Sequence, residues 1–545
     1  MKKKLNMMRI SILLLALTLT SPSAYSQEIN DSIFKMSISL DSARSKYDDF
    51  AKMTKNKYRE FRLKCNQEYA EFMRKAWKEY GAEPPLESPK IEKIKIIPTI
   101  APDSKITTNA IAVNEVLPAE VRTEQPQPIC EIPEEMPFIS NEIPAFQSDL
   151  EFKAEEIKSI DNIVNQEGKK LNFSIRKSYQ WIEFDYYGTH CSVRLSKGCL
   201  FKLPDCAPNT IADAWLKLSE SRYSNAINDC LRIRKLGKLC DWGYLLLLKA
   251  LADEFCGKDT NESALLTGYL YCQSGYKMRL ATVDDRLYML FGTKERLYNK
   301  SSGYIINGAY YYPIRDKKEP YMSFCDVAFP KEEEMSLLVW DSPNLQLLDS
   351  ESRIIKSKRY PELQAETKVN KNLVDFYNDY PESESSNNFM TRWSRIANTE
   401  LSQIVKDALY PNIKKEIEGK TKYEAVSRIL NFVQTGFVYK LDDEVWGRDR
   451  IFFADESLYY PYCDCEDRSI LFSRLVRDLV GLPVVLVYYP GHLYTAVHFD
   501  ETVIGDYIQL DGKNFTVCDP TFISAGIGRT MRGMNNSGAT VILLE

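Results

Sequence analysis

Near the C-terminus the apolar residues Ile470, Leu471, Phe472, Leu475, Val476, Leu479 and Val480 recur at helical steps. Arg468, Ser473, Arg474, Arg477 and Asp478 fill the other side, so the spacing predicts an amphipathic helix. Gly481 and Pro483 are its stop signals, and Cys465 falls in or just before its first turn. A strand, Val484 to Tyr489, and a Pro490-Gly491 turn follow. A second strand, from His492 to about Asp500, carries His492, Tyr494, Ala496 and His498 on one face by alternation. Asp511-Gly512-Lys513 turns the chain into Phe515–Cys518, after which comes Asp519. Antiparallel pairing of these runs brings Asp519 beside the histidine strand.

Toward the N-terminus the period changes. Tyr47, Tyr58, Tyr69 and Tyr80 recur every 11 residues, as do Phe50, Phe61 and Phe72, with Thr54, Cys65 and Ala76 between them. Eleven residues in three turns keeps a stripe on one face, which predicts a helix over 39–81 of roughly 60 Å. Such a stripe is expected to pack on the protein's own body or in a homo-oligomer. Prolines then crowd residues 82–148, from Pro84-Pro85 to Pro144, and predict an extended, disordered tether. Residues 149–345 read as a mixed α+β accessory domain. It has strands at Trp181–Tyr186, Cys191–Leu203, Met278–Thr293, Gly303–Ile314 and Met335–Trp340, and helices across 210–276.

Length and composition set limits on this picture. A chain of 545 residues exceeds one ordinary core, and 44% hydrophobic with 27% charged residues is a globular balance. Lys2-Lys3-Lys4 and Arg9, the apolar run Ile10–Leu19 and small residues to Ser26 predict a cleavable signal peptide over 1–26. The run is too short to span a bilayer, no other segment is long enough, and no lipobox cysteine follows it. An exported protein, periplasmic or extracellular, is expected. Its removal takes four positive charges from a chain of net charge −5, leaving about −9 with no basic block, which gives nucleic acid binding no support. Thirteen cysteines in an exported chain permit disulfides, and the odd count leaves one thiol over.

Cysteine, histidine and aspartate in the order Cys465, His492, Asp519 form the set that thiol catalysis needs. The thiolate attacks, the imidazole carries the proton and the acid fixes the tautomer. A helix N-terminus favours the thiolate and offers N–H groups to an oxyanion. The polar first turn (Asp464, Glu466, Asp467) argues against deep burial, although carboxylates there raise the thiol pKa. The bland alternative is a core cysteine. Cys463 is an alternative thiol, His498 a strand histidine without chemistry, and Asp519 before a proline an ordinary turn residue. Zinc is disfavoured by the C-x-C spacing, and no metal or cofactor is expected.

These blocks, together with FVQTGFVY and FADESLYYPYCDCEDRSILFSRL, YPGHLYTAV and VCDPTF, resemble the transglutaminase-like superfamily across roughly residues 420–531. More narrowly, they are similar to secreted transglutaminase-like proteins of Bacteroidetes-type bacteria. The resemblance implies an α+β chain with a papain-like transglutaminase-like domain over 366–545 and Cys465, His492 and Asp519 as catalytic triad. Cys463 and Asp464 depart from the Gly or Asn that usually precedes the nucleophile. For the oxyanion donor the candidates are Gln434, by a papain-like side-chain amide, and Trp446, by a transglutaminase-like indole N–H. The implied activity is that of a cysteine peptidase or amidase working through an acyl-thioester on a protein or peptide substrate, with hydrolysis favoured over cross-linking. The alternative is an inactive binding or scaffold module of the cell envelope.

Overall fold

The computed structural model describes residues 53, 56–93, 106–128, 180–195, 197–220, 223–298, 303–315, 320–531 and 538–545. The signal segment, the first part of the expected long helix and the run Ile94–Ile100 lie outside them. The chain divides into two compact units, Met1–Leu63 and Lys64–Glu545. The elements below belong to the second, a mixed α/β unit.

Its first six-stranded sheet contains β1 (Trp77–Gly81), β3 (Met278–Val283), β4 (Arg286–Thr293), β5 (Tyr304–Ile306), β6 (Ala309–Pro313) and β7 (Tyr321–Cys325). The order is β1-β7-β3-β4-β6-β5, and every pairing is antiparallel. The helices Asp241–Cys256 and Asn261–Gln273 contribute Leu245, Leu248, Leu265 and Leu266 to one continuous core with Leu280, Met289 and Phe291 of the sheet. Thr260 caps the second of these helices by accepting from the Ser263 N–H at 3.0 Å. Tyr311 and Tyr312 are buried here.

Two N-terminal expectations are corrected. The helix ends at Met73, and residues 77–81 form β1, paired from Trp77↔Cys325 to Gly81↔Tyr321. The aromatic stripe is therefore not one face. Tyr69 is buried against Trp215 and Phe329 at 5.1 and 5.2 Å, Phe72 is half exposed, and Tyr80 stands on a strand. An 11-residue repeat records spacing along the chain, and a sheet edge free to take a strand outweighed its helical phase. The described parts of the proline-rich stretch are likewise ordered. Val113–Leu117 forms β2, and Glu83 and Leu86 bridge to Gly303 and Tyr298. In the accessory region, Cys191–Leu203 leaves the strand at Arg194 for a short 3-10 turn at Lys197–Cys199. Met335–Trp340 is extended chain with a single bridge, Met335 to Thr293; Leu337 and Val339 are buried without a ladder.

The second six-stranded sheet positions the candidate site. It contains β2, β8 (Val484–Tyr489), β9 (His492–His498), β10 (Tyr507–Leu510), β11 (Lys513–Cys518) and β12 (Ala539–Leu543), in the order β10-β11-β9-β8-β12-β2. Hairpins β8–β9 and β10–β11 sit at the expected Pro490-Gly491 and Asp511-Gly512 turns. β2 adds in parallel beside β12. Across the sheet lies α2 (Cys465–Leu479), with α1 (Lys422–Gly436) beside it. A capping box starts α1: the Glu424 N–H donates to Thr421 Oγ1 at 3.2 Å, and the Thr421 N–H to Glu424 Oε2 at 3.0 Å. Ile470, Leu471, Phe472, Leu475 and Val476 of α2 are all sealed from solvent. At about 1.5–3 kcal/mol per large apolar side chain, that seam fixes where Cys465 sits.

Candidate active site

The helix register puts Cys465 at the first position of α2, after Asp464 as N-cap. The sheet register sets the other two residues. β9 begins at His492, and β11 ends at Cys518 opposite Thr495, so Asp519 emerges beside the start of β9. His492 Nε2 and Asp519 Oδ2 lie 2.9 Å apart, both groups buried. Asp519 is held by its own turn: Oδ1 accepts from the Thr521 and Phe522 N–H groups at 2.9 and 3.2 Å. With Nε2 committed, His492 Nδ1 is buried and has no hydrogen-bond partner. Tyr494 stacks on the imidazole at 5.9 Å, and Tyr489 meets it edge-on at 5.5 Å.

Ser469, one helical turn after Cys465, donates to the Leu493 carbonyl at 3.0 Å and ties the start of α2 to β9. The Leu493 backbone amide, one residue beyond His492, lies by the Cys465 sulfur and favours its anion. The thiol itself donates to Glu466 Oε2 at 3.1 Å rather than to the imidazole. Cys465 as a residue is 2% exposed. Burial, then the charges of Glu466 and Asp464, push the Cys465 thiol well above its ordinary range, so the resting sulfur is protonated.

No family profile, no curated protein and no solved structure matches this chain.

The expectation that a polar first turn stays near solvent is overturned. Asp464, Glu466, Asp467, Arg468 and Ser469 are all fully or almost fully buried, each with a partner. Asp467 accepts from the Phe452 N–H at 2.9 Å and the Asp464 N–H at 3.2 Å. Arg468 donates to the Gln434 and Phe437 carbonyls at the end of α1, at 3.1 and 3.0 Å. Asp464 and Glu466 are paired by Lys93, whose Nζ lies 2.6 and 2.5 Å from them and 2.9 Å from both Asp442 and Asp449. Burial opposes ionisation of Glu466, but Lys93 wins and holds its carboxyl down at about 2. Burial and Glu466 push Asp464 the other way, well up.

Of the two oxyanion candidates, Gln434 has its amide committed elsewhere. Gln434 is buried, and its Nε2 donates to the carbonyls of Asp519, Phe522 and Ala525 at 2.9, 2.9 and 3.1 Å. Both of its N–H bonds are committed to holding the loop that carries Asp519. Trp446 is half-buried, meeting Phe452 and Tyr460 edge-on under the Arg450 guanidinium at 4.3 Å. Backbone donors are also present: the first-turn N–H groups of α2, which have no partner within their own helix, and the Leu493 amide.

Cys463 is also buried, with its thiol pushed up to about 11 by desolvation. The His498 ring is bonded to the Asn514 carbonyl, away from the triad. All twelve described cysteines are unpaired. Among the described residues the clusters with metal-ligating spacing are Asp464–Cys465–Glu466, Asp442–Asp464–Asp467 and Asp442–Asp449–Glu466, and neither His492 nor His498 belongs to one. Lys93 already places a cation among them. Sequence reasoning missed Lys93, Glu466 as thiol partner and the Leu493 amide; no local pattern marks any of them.

Proposed function

We propose that the chain is a thiol enzyme with a papain-like, transglutaminase-like C-terminal domain, in which Cys465 attacks an amide carbonyl and forms an acyl-thioester. The supporting observation is the buried His492–Asp519 pair at 2.9 Å with Nδ1 unpartnered, together with a thiol at a helix N-terminus that meets the backbone amide of the next residue, Leu493. Asp519 fixes the proton on Nε2, which leaves Nδ1 as the base. When a substrate displaces the Glu466 contact, Nδ1 takes the thiol proton and later gives it to the leaving amine. Water then attacks the thioester, His492 accepts its proton, and the carboxylate product leaves with the thiol restored. Helix and Leu493 N–H groups would hold the oxyanion. Hydrolysis of peptide or side-chain amides is favoured over cross-linking, and export through a cleaved N-terminal signal is part of this reading. Among the described residues no helix is long and apolar enough to cross a membrane.

The sulfur's burial and its bond to Glu466 favour a second reading, a domain that keeps the fold and binds peptides without chemistry. Iodoacetamide labelling of the full chain separates the two. The enzyme reading expects selective alkylation of Cys465 that falls at least tenfold in His492→Ala. Equal labelling of both proteins, or none at Cys465, supports the scaffold.

A further inference from the structure

The triad chemistry leaves a second constellation unused. Asp442, Asp449, Asp464 and Glu466 converge on one point beside the nucleophile, and that point is filled by a primary ammonium, Lys93 Nζ, at 2.5–2.9 Å from all four. Lys93 does not come from the elements that build the site. It arrives from the segment after β1, where the Glu92 carbonyl crosses the turn that starts β9; a Cβ on Gly491 would stand 2.7 Å from that oxygen. Among the described residues, Lys93 and Arg392, which pairs with Asp449 Oδ2 at 2.6 Å, are cations set against this cluster. Asp464 Oδ1, fully buried, has no partner even with Lys93 in place. Glu466 links the two features: it accepts the Cys465 thiol through Oε2 and the ammonium through Oε1.

We propose that the four-carboxylate pocket is a recognition subsite for a primary ammonium group on the substrate, occupied in this structure by Lys93 as an intramolecular stand-in. This rests on the thiol-enzyme reading, and it adds the substrate's chemical character: a positive amine one carboxylate away from the scissile carbonyl. The Lys93 segment then competes with substrate, and an incoming amine draws Glu466 off the thiol. Geometry sets the selectivity. Four oxygens around one nitrogen suit a compact, strongly hydrated ammonium with three donors better than the planar fork of a guanidinium.

The test uses the full chain and the variants Lys93→Ala and Lys93→Gln, the second keeping most of the stem should the first fail to fold. Cys465 is modified with two methanethiosulfonates, one aminoethyl and cationic, one methyl and neutral. In each case the thiolate displaces methanesulfinate and a mixed disulfide forms. In parallel, n-butylamine and n-butanol are titrated calorimetrically, which needs no reaction at sulfur. The cationic-to-neutral rate ratio is expected to rise at least tenfold over wild type in either variant. Butylamine is expected to bind Lys93→Ala at least tenfold more tightly than butanol, and adding Asp442→Asn to reverse both gains. An unchanged rate ratio with butylamine binding no better than butanol overturns the subsite while leaving the thiol enzyme standing. Tight butylamine binding with a Cys465 inert to every reagent keeps the subsite's chemistry and removes the enzyme.

Discussion

Glu466→Gln isolates the nearest of the charges that, after burial, hold the resting thiol protonated. The amide keeps the volume and still accepts the S–H, but removes a negative charge whose oxygen lies 3.1 Å from the sulfur. At an effective dielectric of about 20, two like charges about 4 Å apart repel by about 4 kcal/mol. At about 1.4 kcal/mol per unit, that is up to about three pKa units, with about one as the floor once neighbouring groups relax. Because the charge disfavours the thiolate, its loss lowers the Cys465 pKa, and alkylation at fixed pH speeds up. The assay is the pH–rate profile of iodoacetamide alkylation, read by mass spectrometry of the peptide containing Cys465; its midpoint should move down by one to three units. Stability gives a second readout of opposite sense. With a folded-state pKa near 2 against an ordinary 4.5, Glu466 stabilises the fold above pH 4.5, and the contribution fades as pH falls toward 2. The variant should therefore be weaker at pH 7 by up to about 3 kcal/mol, and close to wild type near pH 2. A midpoint that stays put or moves up would refute the claim that Glu466 sets the thiol's protonation.

Three further outcomes follow from the same geometry. Asp519→Asn can keep the bonds to the Thr521 and Phe522 N–H groups but turns a donor toward Nε2, moving the proton to Nδ1. Cys465 alkylation should fall by about 10²–10⁴-fold with little change in melting temperature, and an unaffected rate would remove Nδ1 as base. Gln434→Ala abandons three buried carbonyls at about 1 kcal/mol each, so a loss of about 2–3 kcal/mol in urea unfolding is expected together with slower labelling. A stability change below about 0.5 kcal/mol would show that the 519–525 loop does not depend on it. Buried Asp455, which accepts from the Ser402 N–H and hydroxyl, is pushed up to about 6 by desolvation. An acid whose pKa is higher folded than unfolded costs stability as pH rises from about 4 to 6, by up to about 3 kcal/mol. Asp455→Asn should lose that slope in denaturant titrations at pH 4.5 and 7.5, and an identical slope in both proteins would put the burden elsewhere.

What the sequence disclosed, and what it hid, follows from the range of the interactions. The α2 periodicity, its Gly481 stop, both hairpin turns and the step from Cys518 to Asp519 are local signals, and each appears in the structure where spacing put it. Alternation placed Asp519 beside the histidine strand because antiparallel register is a counting problem once the turns are known. Gln434 shows the limit of a motif. Its place upstream of the nucleophile fits an oxyanion donor, yet only the folded loop reveals three carbonyls claiming its amide. The tyrosine stripe failed because periodicity constrains a helix only while no better pairing exists, and β7 offered a strand edge to Trp77–Gly81.

The first turn of α2 is the instructive error. Three acids among four residues normally mean solvent, since burying a carboxylate without compensation is prohibitive. The compensation here is Lys93, 371 residues away from Asp464 in the chain, inside a proline-rich stretch whose composition argues for no structure at all. No window of sequence contains both halves of that pair. The same separation is what makes the contact informative: Asp467 caps the Asp464 N–H locally, as Glu424 does for Thr421 in α1, but the charge at the start of α2 is met from far along the chain. The four carboxylates are met by Lys93, delivered from outside the domain, and by Arg392 at Asp449, at a cost in desolvation that a simpler helix start avoids. Replacing a buried charged set with apolar residues of similar volume often leaves stability unchanged or raises it. A charged cluster beside Cys465, filled by a primary ammonium, is the arrangement the proposed subsite needs, and the Lys93 variants test whether another amine can take that place.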